Sequence, residues 1–202
     1  MEKEFILKQF GISQESVVAI YPYGSRVYGC HTDVSDHDWV IVHRSSMLPS
    51  GAFRDNAISS EDRYHQAICY SRSGFRNAID SYEIGALECA FLPQEMKLFE
   101  SMAFPIRKWD IKELVSAIIS KASNSWHTAV RSSDEKAKKN IFHALRILEF
   151  GTQMAEHGKI VDYSSCNGLR ETLFKNERFK AKSYISRRDE LMDKLRAHGR
   201  AH

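Results

Sequence analysis

The sequence has no excess of charge of either sign. Lys and Arg number 29 against 26 Asp and Glu in 202 residues, for a formal net charge of +3 at pH 7. A protein that coats nucleic acid by electrostatics alone is far more basic, so any contact with a nucleotide or nucleic acid must be local. Cysteine is sparse and scattered: Cys30, Cys69, Cys89 and Cys166 form no CxxC step, and the nearest two are 20 residues apart. That spacing argues against a zinc site or disulfide framework and fits reduced, mostly buried thiols. With 4 Pro and 10 Gly against 43% apolar and 11% aromatic residues, disordered and fibrous classes are excluded and a real core is expected. No run approaches the roughly 18 apolar residues of a membrane span, and Met1 to Phe10 alternates charge with hydrophobes where a signal peptide would be apolar. A cytoplasmic protein without membrane contact is the expectation.

What is present divides the chain near Pro105. The first half mixes short strands and helices, and the second is almost entirely helical, an α+β pattern. Residues 1–105 read as a catalytic core, and 106–202 as a helical C-terminal region closing one side of its cleft. A helix is expected over Met1–Phe10, then strands over Ser16–Tyr21, Asp36–His43 and Asp62–Tyr70. From Val40 onward the second strand is apolar on both faces, which places it centrally in a sheet. Arg44–Glu61 reads as a polar loop, long enough to act as a flap. Helices are expected over Ser71–Ser81 and Ile84–Phe91. Asp110 with Glu113, and Ser132 with Glu135, have the spacing of capping boxes. The second of these opens a helix that runs to His157, with Gly158 as its stop and one buried stripe through Ile141, Leu145, Leu148 and Met154. Further helices are expected around Leu169–Phe174 and Ala181–Leu195.

The stretch with chemical content is Gly24–Asp38, GSRVYGCHTDVSDHD. Gly24 and Ser25 follow the first strand directly, and Asp36 and Asp38 come ten residues later with one residue between them. Side chains at i and i+2 of a strand share a face, about 7 Å apart at the backbone, so the two carboxylates repel unless a cation lies between them. Mg²⁺ suits the position, because it takes one or two carboxylates and fills its other sites with water and phosphate. A glycine at the strand end lets the backbone approach a phosphate, and the Ser25 hydroxyl with the following N–H groups can donate to it. Arg26 lies within reach to neutralise charge. One turn holds phosphates while the next strand holds the metal, the layout needed for phosphoryl or nucleotidyl transfer.

This stretch resembles the signature of the DNA polymerase beta-like nucleotidyltransferase superfamily, a Gly-Ser turn followed at this spacing by Asp-x-Asp. Tyr28-Gly29, Ser35 and the segment Lys138–Ile160 look most like a branch of small nucleotidyltransferases of microbes and phages. The resemblance implies a small mixed sheet flanked by helices and dependence on Mg²⁺ or Mn²⁺. It also implies transfer of a nucleoside monophosphate from an NTP, with Gly24 and Ser25 gripping phosphate and Asp36 and Asp38 as metal ligands. An RNA end, a small molecule or a protein side chain is the acceptor. The resemblance further implies a third carboxylate on a later strand. Here that strand reads Tyr64, His65, Gln66, Ala67 at its centre, and Asp62 shares a face with Tyr64 and Gln66 if the strand begins early, with Glu61 and Glu88 as further candidates. Without that carboxylate, the chain would be a silent nucleotide-binding or protein-interaction module. On the long helix, Lys139, His143 and Arg146 are spaced i, i+4 and i+7. They read either as a stripe that holds a triphosphate or as a solvated face balanced by Glu135 and Glu149.

Overall fold

The computed structural model describes residues 2–44, 57–61, 63–177 and 179–201. The chain divides into two compact units, Met1–Asp80 with Gly85–Arg107, and Ser81–Ile84 with Lys108–His202.

The first unit is built on a five-stranded mixed sheet. Its strands are β1 (Val17–Tyr23), β2 (His37–His43), β3 (Ala57–Ser59), β4 (His65–Ser71) and β5 (Phe99–Glu100), in the order β3-β4-β2-β1-β5. β2 is central, antiparallel to β1 and parallel to β4, as its apolar run requires: Trp39, Val40, Ile41 and Val42 are all buried. The expected loop 44–61 contains the short edge strand β3, and β5 is a further addition. The flap expected before β3 falls on residues 45–56, outside the described residues.

One sheet face packs under α1 (Glu2–Gln9), where Ile6 and Leu7 meet Trp39 and Ile41 of β2 and Ala67 and Cys69 of β4. Toward the other face, Phe75 of α2 (Arg72–Asp80) stacks on Tyr21 of β1 at 5.7 Å and meets Phe104 edge-on at 4.9 Å. A third helix, α3 (Ile84–Phe91), passes the end of β1, where a Cβ added at Gly85 would stand 3.2 Å from the Tyr23 hydroxyl. All four cysteines are buried and none is in a disulfide, and burial pushes Cys69 up to about 12.

The second unit is helical: α4 (Ile111–Ala129), α5 (Asp134–His157), α6 (Asn167–Lys175) and α7 (Ile185–Ala201). Asp110 caps α4, its carboxylate accepting from the Glu113 N–H at 3.0 Å. The cap of α5 is Ser133, one residue after the expected Ser132, whose hydroxyl instead donates to the Thr128 carbonyl. Gly158 ends α5 in the left-handed conformation, at φ +70°. Residues on nearly all sides of α5 are buried, because α4, α6 and α7 all pack on it. Among the described residues no helix is long and apolar enough to cross a membrane.

α4 packs tightly on α5 at Gly151, where an added Cβ would stand 2.5 Å from Cγ2 of the buried Ile118. Gly151→Val is therefore expected to lower stability by about 3 kcal/mol, the upper range for overpacking a core. Denaturant unfolding followed by helical circular dichroism checks this, and an unchanged midpoint would refute it.

Candidate active site

Because β1 pairs antiparallel with β2, Tyr23 stands opposite Asp38, and the turn after β1 lies beside the start of β2. Gly24–Arg26 forms a single 3₁₀ turn, and Gly24 has φ +73°, a conformation other L-residues enter at a cost. The side chain of Asp38 sits directly on Gly24. A Cβ at position 24 would overlap its Oδ2 and stand 3.0 Å from its Cγ. Ser25 follows half-buried, and among the described residues its hydroxyl has no hydrogen-bond partner, so it remains available as a donor.

Gly24→Ala is expected to cost about 2–4 kcal/mol, combining the left-handed backbone with displacement of Asp38. Thermal denaturation measures the loss. A variant with wild-type stability would show that this contact is not fixed.

Asp36 precedes β2, and its Oδ2 accepts from Gln66 Nε2 at 2.6 Å. Gln66 lies directly opposite Asp38 in the parallel β2–β4 register. Burial, reinforced by the neighbouring Asp36 charge, pushes Asp38 up to about 6, while Arg26 pulls it down. Arg26 does not point away as a spare cation. Its Nη2 donates to the Ser35 carbonyl at 2.8 Å and to the Tyr64 hydroxyl at 3.4 Å, and its Nε to the Asp36 carbonyl at 3.3 Å. The guanidinium thus holds the backbone that presents the aspartates.

His37 turns the other way, stacking on His65 at 5.0 Å and on Trp39 at 6.2 Å. Tyr28 and Glu88 are both buried, and the Tyr28 hydroxyl donates to Glu88 Oε2 at 2.5 Å, bracing the Gly24 turn against α3. A carboxylate at 88 and a tyrosine at 28 carry no shared motif, so the pairing has no sequence signal.

The strand that holds Gln66 begins at His65, so the early start that would bring Asp62 onto the Gln66 face is not found; Asp62 itself lies outside the described residues. Lys139, His143 and Arg146 belong to the second unit and do not form one solvated stripe. Lys139 and His143 are exposed, but Arg146 is buried, 3.3 Å from His143 Nδ1 and over the Phe150 ring. Packing around His143, then the charges of Arg146, Lys139 and Lys121, push it down to about 4, although part of its side chain reaches water.

The donor set fits one divalent cation. Two adjacent carboxylates, one of them partly buried and held near 6, form a concentration of negative charge that a hard cation relieves, and Mg²⁺ needs no more than two carboxylates. Among the described residues no group of three His, Cys, Asp or Glu is placed to hold a metal.

No family model matches the sequence, and no curated protein matches it. Among solved structures, the chain is similar to a nucleotidyltransferase-like protein from Exiguobacterium sibiricum 255-15, with 13% identity and a TM-score of 0.34 over 98% of this chain and 73% of that chain.

Proposed function

We propose that the protein is a nucleotidyltransferase that moves a nucleoside monophosphate from an NTP to an acceptor hydroxyl. The observation that carries this reading is the seating of Asp38 on Gly24 with Asp36 beside it, which joins a phosphate-approach turn to a carboxylate pair. Asp36 and Asp38 would hold Mg²⁺ or Mn²⁺. The bound cation supplies charge neutralisation for the triphosphate and the developing transition state. Gly24 lets the backbone approach the phosphates, Ser25 donates to their oxygens, and Arg26 keeps the aspartate backbone in place. The acceptor oxygen bonds to the α-phosphorus, the bond to the β-phosphate oxygen breaks, pyrophosphate leaves, and the acceptor proton passes to water. An RNA end, a small molecule or a protein side chain provides the hydroxyl.

A second reading, a nucleotide-binding module without transfer, is favoured by Gln66, an amide facing the aspartates from the neighbouring strand. Incubation with each α-labelled NTP, Mg²⁺ or Mn²⁺ and a panel of RNA and protein acceptors separates the two. Label transfer that falls at least a hundredfold in Asp36→Ala supports the enzyme. Equal labelling by the variant would sink it, and NTP binding without any labelling would select the module.

A further inference from the structure

β4 carries Gln66 near its start and continues through Ser71 into α2, five residues or about 17 Å further along. At that end of the same unit lies a recess of about 480 Å³, lined by Arg72 and Arg76 of α2, by Arg107, and by Met102, Phe104 and Pro105. Its size is that of a small-ligand pocket. None of its described lining residues is acidic.

The three guanidinium groups are not equivalent. Arg76 is fixed, with Nη1 donating to the Pro105 carbonyl at 2.5 Å and the group lying 5.4 Å from the Phe104 ring centroid. Arg72 and Arg107 are exposed, and among the described residues neither makes a hydrogen bond or ion pair. Three like charges around one recess repel one another, and an anion removes that cost. Planar guanidinium groups match the oxygens of a phosphate, and a fixed Arg76 leaves less side-chain freedom to be lost on binding. Beside them, Met102 and Pro105 form an exposed apolar edge against which a flat ring can rest. The combination of cations and apolar edge separates this recess from a plain phosphate patch.

We propose that the recess binds a nucleotide, its phosphate on Arg72, Arg76 and Arg107 and its base against Met102 and Pro105. This site is separate from Asp36 and Asp38 and needs no divalent cation. The ligand is either a free mononucleotide or one unit of a ribonucleotide strand, and the phosphate chemistry is the same in both.

The test uses the full chain carrying Asp36→Asn and Asp38→Asn, in EDTA, so that the first site does not contribute. Titration with AMP and, separately, with a labelled hexa-adenylate is followed by calorimetry and fluorescence anisotropy. Adding Arg72→Glu and Arg107→Glu is expected to weaken binding at least tenfold with an unchanged thermal midpoint. The salt dependence of strand binding should become shallower by about 0.7 in log–log slope, the value for one lost phosphate contact on a single strand. Binding of AMP with this arginine dependence assigns a free nucleotide, and binding of the hexa-adenylate alone assigns a strand unit. No binding of either probe at millimolar concentration would overturn the site, as would binding indifferent to the charge reversals. Inorganic phosphate binding as tightly as AMP would overturn the assignment of a nucleotide.

Discussion

Asp38→Asn is expected to stabilise the metal-free protein while abolishing metal-dependent transfer. The first half follows from the direction of the Asp38 shift. Burial and the Asp36 charge raise its pKa from 3.8 to about 6 in the folded chain, so between those values the native state binds more protons than the unfolded one. Stability then falls as pH rises through this window, and the penalty is complete above about pH 6. Roughly two pH units correspond to about 3 kcal/mol, an upper figure because the side chain keeps some contact with water. The amide carries no such penalty. Thermal melts in EDTA from pH 4 to 8 should show the gap between Asp38→Asn and wild type opening between pH 4 and 6, with the variant several degrees higher at pH 7; the lowered His37, His43 and His143 act on both chains and cancel in this difference. Mg²⁺ should raise the wild-type midpoint and leave the variant unmoved, since only a folded site that binds gains by mass action. A variant less stable than wild type at pH 7 in EDTA would refute the charge-repulsion account of this pair.

The same residues show what a sequence can disclose about such a site. That Gly24 and Ser25 come beside Asp36 and Asp38 was legible because the relation is local: one strand end and one turn decide it, although the strand itself begins only at His37. The central place of β2 was legible for a similar reason, since an apolar run from Trp39 to Val42 has to be covered on both faces. β3 and β5, three and two residues long, are held by backbone pairing to their neighbours and leave no periodicity to detect. Arg26 was readable as a nearby cation but not as a brace, because its partners are the Ser35 and Asp36 carbonyls, which every residue has. On α5 the spacing of Lys139, His143 and Arg146 suggested one polar stripe. A helix packed by three others buries Arg146 along with the apolar residues. The role of Gln66 depends on the parallel register of β4 against β2, a contact between strands 28 residues apart at this pair that no local pattern encodes.

That register makes Gln66→Glu the most informative single change. The wild-type amide N–H donates a hydrogen bond to Asp36 Oδ2 at 2.6 Å and so offsets part of the negative charge of the pair. A carboxylate in its place removes the donor and adds a third negative group. At about 4 Å, such a repulsion is worth about 4 kcal/mol where the effective dielectric constant is near 20. In EDTA the variant should therefore melt several degrees below wild type. With Mn²⁺ the order should reverse, because three carboxylates bind a hard divalent ion more tightly than two. The expected gain is at least tenfold in Mn²⁺ affinity by electron paramagnetic resonance titration. If the wild-type chain is a nucleotidyltransferase limited by its amide, transfer to hydroxyl acceptors should rise in parallel. If it is a binding module, the metal gain should appear without transfer. Unchanged Mn²⁺ affinity would show that position 66 does not face the cation, and the β4 contribution to the site would then have to come from another residue.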